Sequence, residues 1–329
     1  MASVSPSGLP ALATGGCGFP ERVGGAAPPV FDAWEGGSSA RGVRLGPQTA
    51  RSFDATVIVP TFCERERIEK TLQELDAQLC SVGVAAEILV VDDDSPDGTA
   101  RLASLAYTVC PKRVHVRRAE RGLSTAVLHG AALARGRVCL VMDADGSHSV
   151  DLVPSLLQAV LSGRAEMAIA TRYGDGGGTS DWPLRRRVVS WVARLLARPL
   201  TAVTDPMSGF FSFDTTIVRR GALSPVGYKV GLELLVRCRP SPVLEVPYVF
   251  RDRDAGSSKM SSRQIAEYLR HLQRLYLSRI SELTRSRVES STSRTACSQD
   301  AVGRREASDE HVRFANDSKS STMTSAEVS

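Results

Sequence analysis

Short stretches of β-branched and aliphatic residues alternate along the chain with longer stretches whose apolar positions recur every three or four residues. Residues 55–59 form a strand-like run ended by Pro60, and residues 66–79 carry Ile68, Leu72, Leu75 and Leu79 at helical spacing. The alternation continues with a strand at 87–91 and a helix from Thr99 that Asp97 or its neighbours would cap. A strand at 114–117, a helix at 125–134, a strand at 137–142, a helix at 152–161 and an apolar run at 167–170 follow. Strand and helix in turn predict an α/β fold, a mostly parallel sheet with helices on both faces. Such sheets bind ligands outside the carboxyl ends of their strands, so the polar clusters after the strands are the first candidates for a site.

The pattern weakens at both ends. Residues 1–52 are rich in Gly, Pro and Ala and carry no regular apolar period, which predicts a disordered extension; 284–329 reads as a disordered Ser-rich tail. Between them lie one domain over 53–260 and a basic amphipathic helix over 261–283. The chain has 329 residues, 42% of them hydrophobic, enough for one large core or two modest ones. No apolar run reaches the roughly 18 to 20 residues that would span a bilayer. The first residues lack the pattern of a secretory signal. Seven cysteines in an odd set without a C-x-x-C pair predict reduced, cytosol-facing thiols. A net charge of +5 is mild, and no aromatic and basic residues interleave as stacking platforms, so nucleic acid is not the expected partner.

Four polar clusters follow strand ends: residues 60–64, 92–94, 143–145, and Arg172 with Tyr173. Asp143 and Asp145, one residue apart in a turn, suit a hard divalent cation that would bridge a diphosphate. The competing reading makes them helix caps near Asp151. The chain has neither a G-x-x-x-x-G-K-[ST] loop nor a dinucleotide fingerprint, so the diphosphate would be held by metal and cationic side chains. Arg253 and Lys259 are suitable donors, unless they merely belong to a solvated basic loop.

These residues carry a resemblance. Pro60-Thr61-Phe62-x-Glu64, the run from Val90 to Thr99, Met142-Asp143-Ala144-Asp145-x-Ser147-His148, Thr171-Arg172-Tyr173, the run from Asp205 to Phe211, and Gly256-Ser257-Ser258-Lys259 occur in order. Over about residues 54–280 the chain resembles the dolichyl-phosphate mannosyltransferases. The resemblance implies a GT-A nucleotide-sugar fold with a catalytic domain at 53–260, GDP-mannose as donor, Mg²⁺ or Mn²⁺ as cofactor and dolichyl phosphate in the membrane as acceptor. The product would be dolichyl phosphate mannose, made with inversion, for protein glycosylation and GPI anchor synthesis. It further implies that Pro60, Phe62, Glu64, Val91 and Asp93 surround the guanosine. Asp143, Ala144 and Asp145 would hold metal and diphosphate, Ser147 would occupy a third metal position, and Arg172, Arg253 and Lys259 would contact phosphates. By the same resemblance the chain is the catalytic subunit, peripheral on the cytosolic face of the endoplasmic reticulum, with small membrane-anchoring subunits as partners. Phe62-Cys63 replaces the family's usual Tyr-Asn, and Ser124 its usual Gly. The rival readings are a polyprenyl-phosphate glucosyltransferase using UDP-glucose and a catalytically silent nucleotide-sugar-binding subunit.

A lipid phosphate is already ionised near neutral pH, so this acceptor needs no general base. The glycines of 174–178, followed by Trp182 and Pro183, read as a lid. Residues 184–198 and 260–283 pair apolar stripes with arginines, which suits either an anionic membrane surface or packing on the core. His271 reads as a solvated helix residue and His148 as a strand-end hydrogen-bonder.

Overall fold

The computed structural model describes residues 52–179, 184–224, 226–250, 264–281 and 284. The predicted disordered ends, Trp182 and Pro183, and Arg253 and Lys259 lie outside the described residues.

The observed order is β1 (Phe53–Thr61), α1 (Ile68–Val82), β2 (Ala86–Asp92), α2 (Thr99–Leu105), β3 (Lys112–Val116), α3 (Leu123–Leu133), β4 (Gly136–Val141), α4 (Val153–Leu161) and β5 (Met167–Thr171). Then come β6 (Gly178–Thr179), α5 (Leu184–Ala197), β7 (Phe211–Asp214), α6 (Val230–Arg237), β8 (Val243–Pro247), β9 (Val249–Phe250) and a helix, α7, over 264–281. Seven strands form one sheet in the order β3-β2-β1-β4-β7-β5-β8. Strand β7 runs antiparallel to β4 and β5, and the other pairings are parallel.

Side-chain alternation along buried strands feeds two cores. Val57 and Val59 of β1 pack with Leu72 and Leu75 of α1 and Leu156 and Leu157 of α4, whereas Ile58 joins Leu128 of α3 and Leu234 of α6. The helices therefore cover both faces, as the alternating pattern predicts. The chain falls into two compact units, 1–271 and 272–329. In the second, the described residues are 272–281 and 284, all helical.

At the edge away from the predicted site, Glu87 of β2 is buried and accepts from Thr56 at 2.9 Å, from Arg113 at 3.0 and 2.9 Å, and from the backbone of Arg135 at 3.0 Å. Gly136 follows, its N–H donating to Thr56 Oγ1, and a Cβ there would lie 2.4 Å from the backbone of Ala55. Gly136→Ala is expected to lower stability by about 1–3 kcal/mol through this backbone overlap, read as a shifted midpoint in urea denaturation.

Candidate active site

The antiparallel course of β7 brings its entry loop, residues 205–210, to the same edge as the carboxyl ends of β1, β2, β4 and β5. That loop meets the acidic turn after β4. Asp143 donates its backbone N–H to His148 Nδ1 at 3.1 Å, which puts the proton of the neutral ring on Nε2, 3.8 Å from Asp143 Oδ2. Phe210 stacks on the His148 ring, with centroids 4.8 Å apart. A Cβ on Gly209 would sit 3.5 Å from Asp143 Oδ2, so a glycine keeps space open beside the carboxylate. His148 is the strand-end hydrogen-bonder expected of it, and it positions Asp143.

Asp145 is buried, with Oδ1 accepting from the N–H of Ser147 at 2.9 Å. The carbonyl of Ala144 accepts from Thr71 Oγ1 at 2.9 Å, tying the turn to α1. Asp143, Asp145 and Ser147 thus stand in one short turn as an all-oxygen donor set, which fits a hard divalent cation.

Beside them, Arg172 makes a two-pronged pair with Asp205, Nε at 2.7 Å and Nη2 at 2.8 Å, and its backbone N–H adds a third bond at 3.1 Å. Asp205 is fully buried. Burial opposes the Arg172 charge, but Asp205 outweighs it and holds the guanidinium above its ordinary pKa. The expected phosphate contact is therefore a cation already braced by a carboxylate. Lys229, at the start of α6, donates to the carbonyl of Met207 at 2.8 Å. Burial pushes its ammonium down to about 8, the Arg172 charge adds to the fall, and Asp205 and Asp143 oppose it. Neither Asp205 nor Lys229 was assigned a role from sequence. Asp205 lay inside a quoted motif, and Lys229 carries no signal short of the fold.

At the ends of β1 and β2, Asp92 accepts from Thr61 and Ser95 and joins the two strands. Asp93, expected beside the guanosine, takes two bonds from Arg117 on Oδ1 and accepts from the N–H of Gly122 on Oδ2 at 2.7 Å. It is buried and shapes the turn ahead of α3. Val91, also expected around the guanosine, is buried. Its side chain faces α3 in the core, within contact of Gly130, because alternation along β2 turns it inward, and Pro60 is buried beside it in register. Phe62 is exposed under the Arg121 guanidinium, 5.3 Å from its centroid, and Glu64 is half-buried with its N–H donating to Thr99.

The glycine segment expected as a lid is a turn whose end, β6, pairs with β9, and Gly177 lies where a Cβ would come within 2.9 Å of the Arg172 backbone. His271 also departs from expectation: it is buried and meets Glu233 of α6 at 2.6 Å, and Arg237 meets the same carboxylate at 2.7 Å. This buried pairing, not solvent, receives the first turns of α7.

The model of glycosyl transferase family 2 matches residues 56–227. Dolichol-phosphate mannosyltransferase from Mycosarcoma maydis is 40% identical over 247 residues, covering 70% of this chain and 82% of its own length. The Saccharomyces cerevisiae protein of the same name is 38% identical, covering 69% and 88%. The Pyrococcus furiosus one is 40% identical over 67% of this chain, which spans 63% of that relative's length. Among solved structures, M. tuberculosis glucosyl-3-phosphoglycerate synthase is similar, with a TM-score of 0.52 at 21% identity, covering 69% of this chain and 81% of its own.

The Arg172–Asp205 pair yields a direct expectation. Asp205→Ala leaves a buried, uncompensated guanidinium and should cost about 3–5 kcal/mol, measured by denaturant titration, whereas Arg172→Ala with Asp205→Ala together should cost less than the sum of the two.

Proposed function

The chain belongs to glycosyl transferase family 2 and, within it, to the dolichol-phosphate mannosyltransferases, and on that premise we propose that it transfers mannose from GDP-mannose to dolichyl phosphate with inversion at the sugar carbon. The observation that carries this reading is the gathering of Asp143, Lys229 and the Arg172–Asp205 pair at one sheet edge. Charge changes most at the departing diphosphate, and these groups converge where it would lie.

Asp143 and Asp145, with Ser147 as the third position, would hold Mg²⁺ or Mn²⁺. When bound, the cation offsets the negative charge that grows on the diphosphate as the sugar leaves. Lys229 adds a positive charge that is preorganised by Met207 and therefore needs no reorganisation during the reaction. Arg172, braced by Asp205, positions a phosphate without swinging away, and Arg253 and Lys259, which follow β9 in sequence, would contact the phosphates. An ionised acceptor oxygen attacks the anomeric carbon from the face opposite the diphosphate, the bond to the diphosphate breaks, and no side chain has to remove a proton. Phe62, Glu64 and the turn organised by Asp93 would frame the guanosine.

The acceptor is a lipid, and α5 supports an approach to a membrane. Arg186 lies over the Phe250 ring, Ser190 bonds the Tyr173 hydroxyl at 2.9 Å, Ala193 accepts from Tyr268 at 2.7 Å, and Arg194 covers the Tyr173 ring and donates to Thr204. The inward face is thus polar, while Leu184, Val188, Trp191, Val192, Leu195 and Leu196 are exposed. Amphipathic helices that pack on a core show the reverse. Ile265 and Leu269 of α7 are exposed too. Among the described residues no helix is long and apolar enough to cross a membrane. We place the chain at the cytosolic face of the endoplasmic reticulum, as a peripheral protein helped by small membrane subunits.

Radiolabelled GDP-mannose with dolichyl phosphate and Mn²⁺ or Mg²⁺ is expected to give labelled lipid; labelling from UDP-glucose instead would overturn the donor, and no labelling from either would leave a silent binding subunit. Asp145→Asn should lower metal-dependent turnover on the order of 10²–10³-fold with the fold intact by circular dichroism. Flotation on anionic vesicles should fall roughly tenfold when Trp191 and Leu195 are both changed to Glu; unchanged flotation would remove α5 from the contact, and no flotation of either chain would assign attachment to partners.

A further inference from the structure

Asp76 and Cys80, one helical turn apart on α1, face Cys110 in the turn that leads into β3, and one ligating atom from each lies within 4.8 Å of the others. Asp76 accepts the backbone N–H of Val109 on Oδ2 and of Cys110 on Oδ1, both at 2.8 Å. The carboxylate thus fastens the Cys110 backbone to α1 and holds the two sulfurs side by side. Cys110 is buried, whereas Cys80 opens to solvent. Burial, with Asp76 and Cys80 adding to it, pushes the Cys110 thiol well above its ordinary range, so it rests protonated.

A soft metal ion and a disulfide are the two fates such a sulfur pair allows. The metal is the weaker fit, since both Asp76 oxygens already accept hydrogen bonds and the Lys112 charge acts on the same carboxylate. We propose that Cys80 and Cys110 form a reversible disulfide, with a low-molecular-weight disulfide such as oxidised glutathione as the oxidant. The exposed Cys80 thiolate attacks one sulfur of that molecule, its S–S bond breaks, and one thiolate leaves. The Cys110 sulfur then attacks Cys80, and the second glutathione leaves as a thiolate that takes up the Cys110 proton. Two protein thiols are oxidised to one disulfide, and one small disulfide is reduced to two thiols. The bond would close the segment 80–110, which holds β2, α2 and the acidic turn at Asp92 and Asp93.

Arg101 places the two cysteines on separate tryptic peptides, 71–101 and 102–112. The full chain, exposed to oxidised glutathione, alkylated and digested, is expected to yield these peptides linked, and the link should vanish with dithiothreitol. The oxidised chain should melt about 5 °C or more above the reduced one. Cys110→Ser should leave Cys80 carrying one glutathione, and in Cys80→Ser, a surface change, Cys110 should stay unmodified. The proposal is overturned if wild-type Cys80 accumulates the glutathione adduct while Cys110 remains alkylatable. It is equally overturned if one equivalent of Zn²⁺ alone, without oxidant, shields both thiols from alkylation.

Discussion

A guanidinium buried at the end of a strand is tolerable only if a carboxylate meets it, and the Arg172–Asp205 pair is the contact on which the arrangement at this sheet edge depends. Asp205 reaches Arg172 because β7 enters the sheet antiparallel between β4 and β5, so its preceding loop arrives where the parallel strands end. The same loop then does several things within six residues. The Met207 carbonyl holds Lys229, Gly209 leaves room beside Asp143, and Phe210 backs the His148 ring. One reversed strand therefore couples the cationic and acidic halves of the site, which come from β5 and β4.

The wall at the ends of β1 and β2, proposed to face the nucleotide, is built on a different principle. Asp92 and Asp93 are consecutive, yet Asp92 ties two strand ends together while Asp93 shapes a turn through Arg117 and Gly122. Both carboxylates are held by donors from the chain itself, so this wall is rigid before any ligand arrives. Phe62 and Glu64 stand in front of it on the loop after β1.

Much of this was legible in the amino-acid pattern, and the limits have physical reasons. Local periodicity locates β1 through β5 and their helices to within a few residues, because burial of a strand or a helix face leaves a mark on neighbouring positions. That Asp143 and Asp145 share one turn was legible because they stand one residue apart after a strand, whereas Ser147 came in only with the family resemblance. Asp205 and Lys229 were not, because Asp205 meets Arg172 from 33 residues away and Lys229 meets Met207 from 22, around an antiparallel strand that breaks the βα alternation. Val91 shows the opposite limit: its motif marks the strand end, but the two-residue period turns its side chain into the core. His271 was misread because nothing near it in sequence announces Glu233, 38 residues earlier. For α5 the period gave two faces and could not tell which one points inward.

That inverted helix has a geometric consequence for the reaction. Tyr173 follows Arg172 directly and is gripped by α5 twice, through its hydroxyl by Ser190 and across its ring by Arg194. The outward apolar face and the guanidinium of Arg172 are thus separated by one helix diameter and one aromatic ring. A surface on which α5 rests would set the height of Arg172 above it, as a spacer sets a gap. The depth at which a phosphate must be presented then becomes a property of side-chain packing, independent of how long the hydrocarbon beneath it is.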